Sequence, residues 1–309
     1  MRLSIIVVSW NTRELLEECL SSISNHLRSA EYEVIVVDNA STDGSVQMVK
    51  KLFPQVGLIE NPVNLGFAVA NNQALKIAAG RFLLLLNSDA MLISDSVSEA
   101  LDFMNRHPAA GACGVRLINP DGTYQGSHAD FPTLRSEFLN ATSLGTRFVR
   151  PYYPSHPPGC EAELCEADWV TGAFILLRRE VYEQVGGMDE SFWMYSEETD
   201  WCYRVKQAGW KIYYLPRIEV LHIGGGSSAN RRVEMVGQLY QSKVLFFAKH
   251  YGVFAAQRLR VMLCLIFLFR ELLSNFLLLF PRYQTSQRWY SEMVTSQFVR
   301  EACSRPISK

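Results

Sequence analysis

Residues 81–90 have the sequence RFLLLLNSDA, in which five apolar residues run without a break into Asn87, Ser88 and Asp89. A continuous apolar run of this length is typical of a central parallel strand that is buried on both faces. The carboxyl ends of such strands form the edge at which open α/β sheets bind ligands. We therefore expect Asn87 and Asp89, whose side chains carry oxygen ligands, to lie at a binding site. A β-turn is the alternative, because Asn, Ser and Asp all favour turns.

The first 90 residues alternate between predicted strands and predicted helices. Apolar segments predict strands at 3–8, 33–37, 56–60 and 81–86. Helices are predicted at 13–28, from Ser45 to about Phe53, and from the loop 61–66 to Ala79. This repeated alternation predicts a doubly wound, mostly parallel sheet. A side chain of Asn11 or Thr12 is the expected cap of the first helix.

Three of these strands end in polar residues. The first is followed by Ser9–Thr12, the second by Asp38–Ser45, and the buried strand by Asn87–Asp89. Since parallel strands present their carboxyl ends at one edge of a sheet, the three clusters are predicted to meet there. Their coincidence favours a binding site over an isolated β-turn.

The middle of the chain is less regular. A helix is predicted over 94–106 and a strand over 110–117. The sequence Asn-Pro-Asp-Gly at 119–122 is a strong hairpin-turn signal. Residues 125–166 are rich in Pro, Gly, Ser and aromatic residues. They predict a long variable loop, partly helical at 134–144, to which the sequence assigns no chemistry.

An acidic helix start and a histidine are the candidate chemical groups of the second half. A strand is predicted at 168–177, and Ser196 is the expected cap of a helix whose first turn holds Glu197, Glu198 and Asp200. Negative charge stabilises a helix N-terminus, but three carboxylates exceed what a cap requires. His222 follows a strand and precedes a glycine-rich loop. It is a metal ligand or, alternatively, an ordinary hydrogen-bonded polar residue.

The last part of the chain has a different composition. Residues 233–251 predict an amphipathic helix, and residues 261–280 are strongly apolar except for Arg270 and Glu271. Central charges disfavour a membrane-spanning helix. Flanking arginines favour a helix that lies in the membrane interface. A buried helical pair or an oligomer contact is the alternative.

Bulk composition excludes several classes of protein. The chain has 309 residues and a net charge of −1, so it lacks the basic field of a nucleic-acid-binding protein. Its seven cysteines include no CxxC pair, which is typical of reduced thiols in the cytoplasm. The apolar run at the N-terminus is too short for a signal peptide and is a predicted strand.

An ordered set of motifs resembles glycosyltransferase family 2, in particular its bacterial rhamnosyltransferase-like branch. The motifs span residues 3–228 and are SIIVVSWNT, VVDNASTDGS, NLGFAVANNQAL, LLLLNSDA, DWVTGAFILLRRE, VGGMDESFWMYSEETDWCYR and LHIGGGSS. The resemblance implies the GT-A fold, an α/β architecture with a Rossmann-like, mostly parallel central sheet flanked by helices. It implies a glycosyltransferase domain at 1–230, with a nucleotide-sugar half to about 118 and an acceptor half from about 119, and a C-terminal helical extension at 231–309.

The resemblance also implies residue roles. Asp38 would bind the nucleotide base, and the full expected nucleotide-sugar set is Ser9, Asn11, Asp38, Asn39, Asn64, Gly66, Asn71, Asn87 and Ser88. Asp89, at the end of the family's Asp-x-Asp position, would hold Mg²⁺ or Mn²⁺ together with His222. The family's first aspartate is replaced here by Asn87.

Glu198 occupies the position of the family's catalytic base, which is usually aspartate, and Glu197 directly precedes it. Either of the two glutamates is a candidate for the base. Trp169, Gly172 and Trp201 are candidate acceptor contacts, and either tryptophan is alternatively a core residue.

The expected activity is inverting transfer of a sugar from a nucleotide-sugar to a hydroxyl of a glycan acceptor. A hard cation neutralises the diphosphate leaving group, and a carboxylate deprotonates the acceptor. The resemblance favours dTDP-rhamnose, then UDP-linked hexoses, as donor. It favours a polyprenyl-linked glycan at the cytoplasmic face of the membrane as acceptor, in cell-surface polysaccharide synthesis.

Two other classes of protein are alternatives. A nucleotidyltransferase would need a basic, Gly-rich loop after the first strand, whereas SWNTRELLEE offers only Arg13. A non-catalytic carbohydrate- or nucleotide-binding protein on the same fold is the second alternative, and the replacements at Asn87 and Glu198 keep it open.

Overall fold

The computed structural model describes residues 3–27, 31–156, 165–225 and 232–277. The strands are β1 (Leu3–Ser9), β2 (Tyr32–Asp38), β3 (Gly57–Glu60), β4 (Phe82–Leu86), β5 (Ala90–Leu92), β6 (Ala110–Ile118), β7 (Tyr124–Gln125), β8 (His128–Ala129), β9 (Cys165–Ala167), β10 (Trp169–Val170), β11 (Phe174–Arg178) and β12 (Lys211–His222). The helices are α1 (Arg13–His26), α2 (Ser45–Leu52), α3 (Phe67–Ile77), α4 (Ser96–Arg106), α5 (Leu134–Ala141), α6 (Leu144–Phe148), α7 (Arg179–Val185), α8 (Glu197–Gln207), α9 (Arg232–Tyr251) and α10 (Val253–Leu277).

One mixed sheet organises the first part of the chain. Its strand order is β3-β2-β1-β4-β11-β6-β12-β5, with β7 added to β6 and β9 added to β12. The pairs β3–β2, β2–β1 and β1–β4 are parallel, as predicted. β11 runs antiparallel to both of its neighbours, and β12 runs parallel to β6. The sheet is therefore mostly parallel, with an antiparallel strand in its middle.

The buried strand β4 explains why this sheet has a core on each face. Successive side chains of a strand point to opposite faces. Leu84 packs in a core cluster with residues of α1 and α4. Its neighbours Leu83 and Leu85 pack in a second cluster with residues of α3 and α8. All five residues of β4 are buried, so the prediction of a strand covered on both faces is confirmed.

The chain divides into two compact units. The first comprises residues 1–131 and 155–229, and the second comprises residues 132–154 and 230–309. In the second unit, α9 packs against α10, and α5 packs against α6 and α10. Lys243 and the buried Glu137 form an ion pair of 2.6 Å there. The predicted extension at 231–309 thus shares a unit with the segment 132–154, which the sequence placed in a variable loop.

Two features of the fold differ from the predictions. The three-residue strand β5 was not predicted, because it is too short to show a periodic pattern. Helix α10 begins at Val253, several residues before the apolar run at 261–280. The last part of that run, and the end of the predicted glycine-rich loop at 226–228, lie outside the described residues.

Among the described residues, no helix combines the length and apolarity needed to cross a bilayer.

Candidate active site

The ends of β1, β2 and β4 lie side by side at one edge of the sheet. Ser9 is the register partner of Asp38 in the β1–β2 pair. The backbone N–H of Asn39 donates to the carbonyl of Ser9 at 2.8 Å. β4 pairs with β1 on its other side and leads into Asn87. The predicted meeting of these polar strand ends is confirmed.

A chain of buried hydroxyls connects two of these strand ends. Thr12 Oγ1 lies 3.0 Å from Ser9 Oγ and 3.0 Å from Ser88 Oγ. No side chain caps α1, which begins just after Thr12. The prediction that Asn11 or Thr12 caps this helix through its side chain is therefore wrong, because the Thr12 hydroxyl instead bonds to Ser9 and Ser88.

Asn11 and Asp38 shape the pocket between β1 and β2. Asn11 has a left-handed backbone, with φ of 52°, and its Oδ1 accepts the backbone N–H of Thr42 at 2.7 Å. Asp38 Oδ2 accepts the backbone N–H of Ser41 at 2.9 Å. Asp38 Oδ1 is buried and has no hydrogen-bond partner among the described residues. Since an unpartnered buried carboxylate oxygen is unfavourable, this atom is suited to accept an N–H from a ligand.

Asn39 holds the loop that follows β3. Its Nδ2 donates to Asn64 Oδ1 at 2.9 Å and to the carbonyl of Gly66 at 3.2 Å. Its Oδ1 accepts the backbone N–H of Leu65 at 3.0 Å. The amide of Asn39 is thus engaged within the protein, and it fixes the shape of this loop.

Asn71 is turned toward its own helix. The side chain is buried, and its Nδ2 donates to the carbonyl of Phe67, one turn earlier, at 2.9 Å. Its contribution in this structure is therefore to the first turn of α3, which follows the loop held by Asn39.

Asp89 and His222 are brought together by β5. This strand pairs antiparallel with β12 and sets Ala90 opposite His222. The backbone N–H of Ile223 donates to the carbonyl of Asp89 at 3.0 Å. As a result, Asp89 Oδ1 lies 3.2 Å from His222 Nε2. The two predicted metal ligands are adjacent although they lie far apart in sequence.

The donors at this point fit a divalent cation. Adjacent ligands of an octahedral ion with bonds of about 2.1 Å lie about 3 Å apart, close to the observed Asp89–His222 separation. Asn87 lies two residues before Asp89, and its buried Oδ1 has no hydrogen-bond partner within the described chain. Carboxylate, amide and imidazole donors suit Mg²⁺ or Mn²⁺. In the described part of the chain, no third His, Cys, Asp or Glu joins the pair.

Two of the acidic residues at the start of α8 have an enclosed carboxylate oxygen that no described cation faces. Glu197 is buried, and Glu198 is half-buried. The Oε2 atom of each is enclosed and has no partner among the described residues. Burial, together with the neighbouring Glu198, raises the pKa of Glu197 well above its usual range. Burial raises the pKa of Glu198 to about 6. A carboxylate with such a pKa is suited to general-base catalysis near neutral pH.

Asp200, the third carboxylate, has a different environment. It is fully buried, and its Oδ2 accepts a hydrogen bond from Arg204 Nε at 2.9 Å. Arg204 also donates to the carbonyl of Gly187 at 2.7 Å. Asp200 therefore holds α8 in place through Arg204, while the other two carboxylates remain available for chemistry.

The predicted cap at Ser196 is absent. No side chain caps α8, and both Tyr195 and Ser196 have left-handed backbones, with φ of 68° and 64°. A side-chain cap normally comes from a residue with an extended backbone, so the left-handed turn at Ser196 explains the failure of the prediction. Left-handed non-glycine residues are uncommon, and such strain often accompanies functional sites.

Gly172 lies between the start of α3 and the candidate base. A Cβ built on Gly172 would lie 3.5 Å from the ring of Phe67 and 3.9 Å from Glu198 Cβ. The start of α3 and the start of α8 therefore approach each other at this glycine.

The two candidate acceptor tryptophans differ in environment. Trp169 is half-buried, and its Nε1 donates to the carbonyl of Asp130 at 3.1 Å. Trp201 is only 1% exposed, and its Nε1 donates to the carbonyl of Gly186 at 2.8 Å. Trp201 is a core residue here, whereas Trp169 is only partly buried.

The model of the family "Glycosyl transferase family 2" matches residues 4–203 of the chain. The chain belongs to glycosyl transferase family 2. It is 30% identical over 269 residues to the N-acetylglucosaminyl-diphospho-decaprenol L-rhamnosyltransferase of Mycobacterium tuberculosis. The matched region covers 81% of this chain and 85% of the relative.

Solved glycosyltransferases share the fold of this family 2 enzyme. The mannosyltransferase PcManGT from Pyrobaculum calidifontis, solved with GDP-Man and Mn²⁺, has a TM-score of 0.58 at 18% identity over 98% of this chain and 86% of that chain. GalNAc-T7, solved with UDP, GalNAc and Mn²⁺, has a TM-score of 0.55 at 16% identity over 80% of this chain and 50% of that chain. The predicted GT-A architecture is thereby confirmed.

Two residues that contact the predicted site residues were not predicted from the sequence. Trp193 lies against Gly66, and its carbonyl accepts the backbone N–H of Phe67 at 2.9 Å. Gln125 lies 2.5 Å from His222 through its Oε1. The aromatic residues before the acidic cluster were a usable signal for Trp193. Gln125 falls in the segment expected to be a variable loop, and no local pattern singles it out.

Proposed function

We propose that this glycosyltransferase moves a sugar from a nucleotide-sugar to a hydroxyl of a lipid-linked glycan by single displacement with inversion. The observation that carries the proposal is the pair of neighbouring carboxylates Glu197 and Glu198, each with an enclosed Oε2 that has no partner among the described residues, with Glu198 beside Gly172. A buried carboxylate without a counter-charge has little structural value but is suited to take a proton from an acceptor.

Asp89 and His222 would hold Mg²⁺ or Mn²⁺, and Asn87 lies beside them. When bound, the ion supplies positive charge that stabilises the departing diphosphate. Asp38 Oδ1 would accept an N–H of the nucleotide base, because this buried atom otherwise lacks a partner. Ser88, held by the hydroxyl chain from Ser9, would line the same pocket.

Glu198 is proposed as the general base, and Glu197 as its partner. Burial raises the pKa of both carboxylates, and Glu198 is the more exposed of the two and the one that lies beside Gly172. The acceptor hydroxyl loses its proton to Glu198 as its oxygen bonds to the anomeric carbon, and the bond from that carbon to the nucleotide diphosphate breaks. Attack from the face opposite the leaving group inverts the anomeric centre.

The similarity to the mycobacterial rhamnosyltransferase supports dTDP-rhamnose as the donor, with UDP-linked hexoses as the next class. The name of that relative describes a diphospho-decaprenol acceptor, which supports a polyprenyl-linked glycan acceptor here. This substrate class supports a role in cell-surface polysaccharide synthesis.

The exposed side of α10 supports a position on the inner face of the cell membrane. Five large apolar side chains are between 58% and 69% exposed: Phe254, Val261, Leu265, Phe269 and Leu272. Their spacing of three, four or seven residues places them on one side of a helix. The guanidinium of Arg258 lies 4.3 Å from the ring centre of Phe254 on the same side. Aromatic and aliphatic residues combined with arginine are typical of helices that bind anionic membrane surfaces.

The test of the proposed reaction compares Glu198→Gln with the wild-type protein. Purified protein is incubated with dTDP-rhamnose, or with UDP-glucose, and a polyprenyl-diphosphate-linked N-acetylglucosamine, with Mn²⁺. We expect transfer with wild type and a loss of about 10²- to 10⁴-fold with the variant, because the base is removed. Donor binding, measured by calorimetry, should change little. Glu183→Gln, on the exposed side of α7, is the matched control.

Substantial transfer by Glu198→Gln would contradict the assignment of the base. Nucleotide binding without transfer or donor hydrolysis by the wild type would support the non-catalytic alternative instead.

The membrane assignment is tested by sedimentation with vesicles of phosphatidylglycerol and phosphatidylethanolamine. Leu265→Glu combined with Phe269→Glu should abolish binding, whereas Ile77→Glu, at a residue 60% exposed on α3, should not. Equal sedimentation of both variants would overturn the assignment, as would concentration-dependent dimerisation that the α10 substitutions remove.

A further inference from the structure

His222 has a protein contact on each of its ring nitrogens. Nε2 faces Asp89 Oδ1 at 3.2 Å, and Asn87 Nδ2 lies 3.4 Å from it. Nδ1 lies 2.5 Å from Gln125 Oε1, a short hydrogen bond. Gln125, on β7, therefore contacts the ring on the side away from the candidate cation site.

A series of hydrogen bonds determines which atom of Gln125 faces the ring. Thr123 Oγ1 donates to the carboxylate of Asp121 at 2.6 Å, since a carboxylate only accepts. The same hydroxyl therefore accepts from Asn119 Nδ2 at 2.9 Å. This turns Asn119 Oδ1 toward Gln125 Nε2, which donates to it at 3.0 Å. Gln125 Oε1 is left to face the ring of His222.

The orientation of Gln125 determines the tautomer of His222. An amide oxygen can only accept, so Nδ1 of the ring must carry the proton that it donates. In the neutral ring, the lone pair is then on Nε2, the nitrogen that faces Asp89. Two electron-pair donors converge at that point, as a cation site requires.

We propose that Gln125 is a positioning residue for the cation ligand His222, and that the Asn119–Thr123 hairpin sets its orientation. This inference rests on the metal site of the proposed function. Gln125 does not touch the cation or the substrates. It fixes the plane and the protonated nitrogen of the ring, and so keeps Nε2 ready to bind Mg²⁺ or Mn²⁺ beside Asp89.

Gln125 also contacts the backbone around His222. Gln125 Nε2 also lies 3.4 Å from the carbonyl of His222 itself. A Cβ on Gly224 would lie 3.2 Å from the same nitrogen, so the chain after His222 passes close to Gln125. Side chain and backbone of His222 are therefore both held by Gln125.

The experiment measures Mn²⁺ affinity by electron paramagnetic resonance in the presence of UDP or dTDP, and the His222 tautomer by ¹⁵N NMR of the metal-free protein. We expect Gln125→Leu to weaken Mn²⁺ binding about 10- to 100-fold and to lose the protonated Nδ1 signature. Gln125→Glu should retain the protonated Nδ1 and most of the Mn²⁺ affinity, because a carboxylate accepts the same N–H, although it cannot donate to Asn119 Oδ1 as Gln125 does. Gln184→Leu, which removes an acceptor of Trp210 Nε1 elsewhere, is the matched control and should match wild type.

The outcomes separate the inference from the proposed function. Wild-type Mn²⁺ affinity in Gln125→Leu would overturn the positioning role while leaving the metal site intact. Equal losses in the Leu and Glu variants would overturn it too, since they would indicate packing rather than hydrogen-bond acceptance. Failure of the wild type to bind Mn²⁺ with either nucleotide would overturn the metal site and this role with it.

Discussion

Gly66 and Trp193 are in contact so close that no other residue fits at position 66. A Cβ on Gly66 would lie 2.5 Å from the carbonyl oxygen of Trp193 and 2.6 Å from its Cδ1. The carbonyl of Trp193 also accepts the backbone N–H of Phe67. The loop at 61–66 is thus tied to the segment that leads into Glu197 and Glu198. We infer that placement of the candidate base depends on this loop.

Gly66→Ala should destabilise the protein and reduce transfer, because the added methyl group meets backbone that cannot move freely. Gly186→Ala is the matched control. Gly66 has φ 84° and ψ 172°, Gly186 has φ 76° and ψ −175°, and a Cβ on Gly186 meets nothing within 4 Å. Both variants carry a backbone penalty of about 1–3 kcal/mol. Only Gly66→Ala adds the collision, which costs about 1–3 kcal/mol more.

Denaturant unfolding and initial rates measure this difference. Equal stability of the two variants, with equal transfer activity, would show that the contact with Trp193 affects neither the stability of the fold nor the position of the candidate base.

The pH dependence of transfer should follow the ionisation of Glu198. Its pKa of about 6 means that the base is protonated below that pH. We expect kcat/KM to fall about tenfold per pH unit below pH 6 and to level off above it, on the acidic side of the profile. Calorimetric titration of nucleotide at the same pH values separates this effect from donor binding. Transfer that stays constant down to pH 4.5 would argue against Glu198 as the base.

The buried carboxylates should also make stability depend on pH, in the direction opposite to that of most paired carboxylates. The pKa of Glu197 is raised in the folded protein, so the native state binds its proton more tightly than the unfolded chain does. Stability is therefore greater at low pH and decreases as pH rises from the unfolded pKa of Glu, about 4.3, toward the raised native value. Glu197→Gln removes this loss and should raise Tm at pH 8.

The exposed Glu183→Gln is the control and should leave Tm unchanged at both pH 5 and pH 8. If Glu197→Gln lowered Tm at pH 8, the carboxylate would be stabilised by a partner, and the raised pKa of Glu197 would be wrong.

The sequence allowed prediction of the elements whose physical cause is local. The residues of β4 form an apolar run because both faces of the strand are covered, and that run is visible without any structure. The polar residues that follow β1, β2 and β4 could be placed at one edge, because parallel strands leave no other choice.

The rest depended on pairings between distant segments. Asp89 meets His222 only because β5 pairs with the end of β12, and a three-residue strand has no periodic signature. Gln125 faces His222 because β7 returns along β6 after the predicted turn. The turn was predictable, but which of its side chains would face the histidine was not. The predicted side-chain caps at Thr12 and Ser196 are absent. The Thr12 hydroxyl bonds to Ser9 and Ser88 instead, and Ser196 has a left-handed backbone.

The nucleotide preference should follow the unpartnered oxygen of Asp38. An ionised carboxylate only accepts hydrogen bonds, and uracil, thymine and guanine each present a ring N–H on their pairing edge, whereas cytosine presents a ring acceptor there. UDP, dTDP and GDP should therefore bind more tightly than CDP, by about 10- to 100-fold, the value of one hydrogen bond to a charged group. Asp38→Asn can donate as well as accept, so it should narrow this gap. Thermal shift with the four nucleotides, with and without Mn²⁺, measures the difference in binding between CDP and the other three. Equal binding of CDP and UDP by the wild type would exclude Asp38 as the residue that recognises the base.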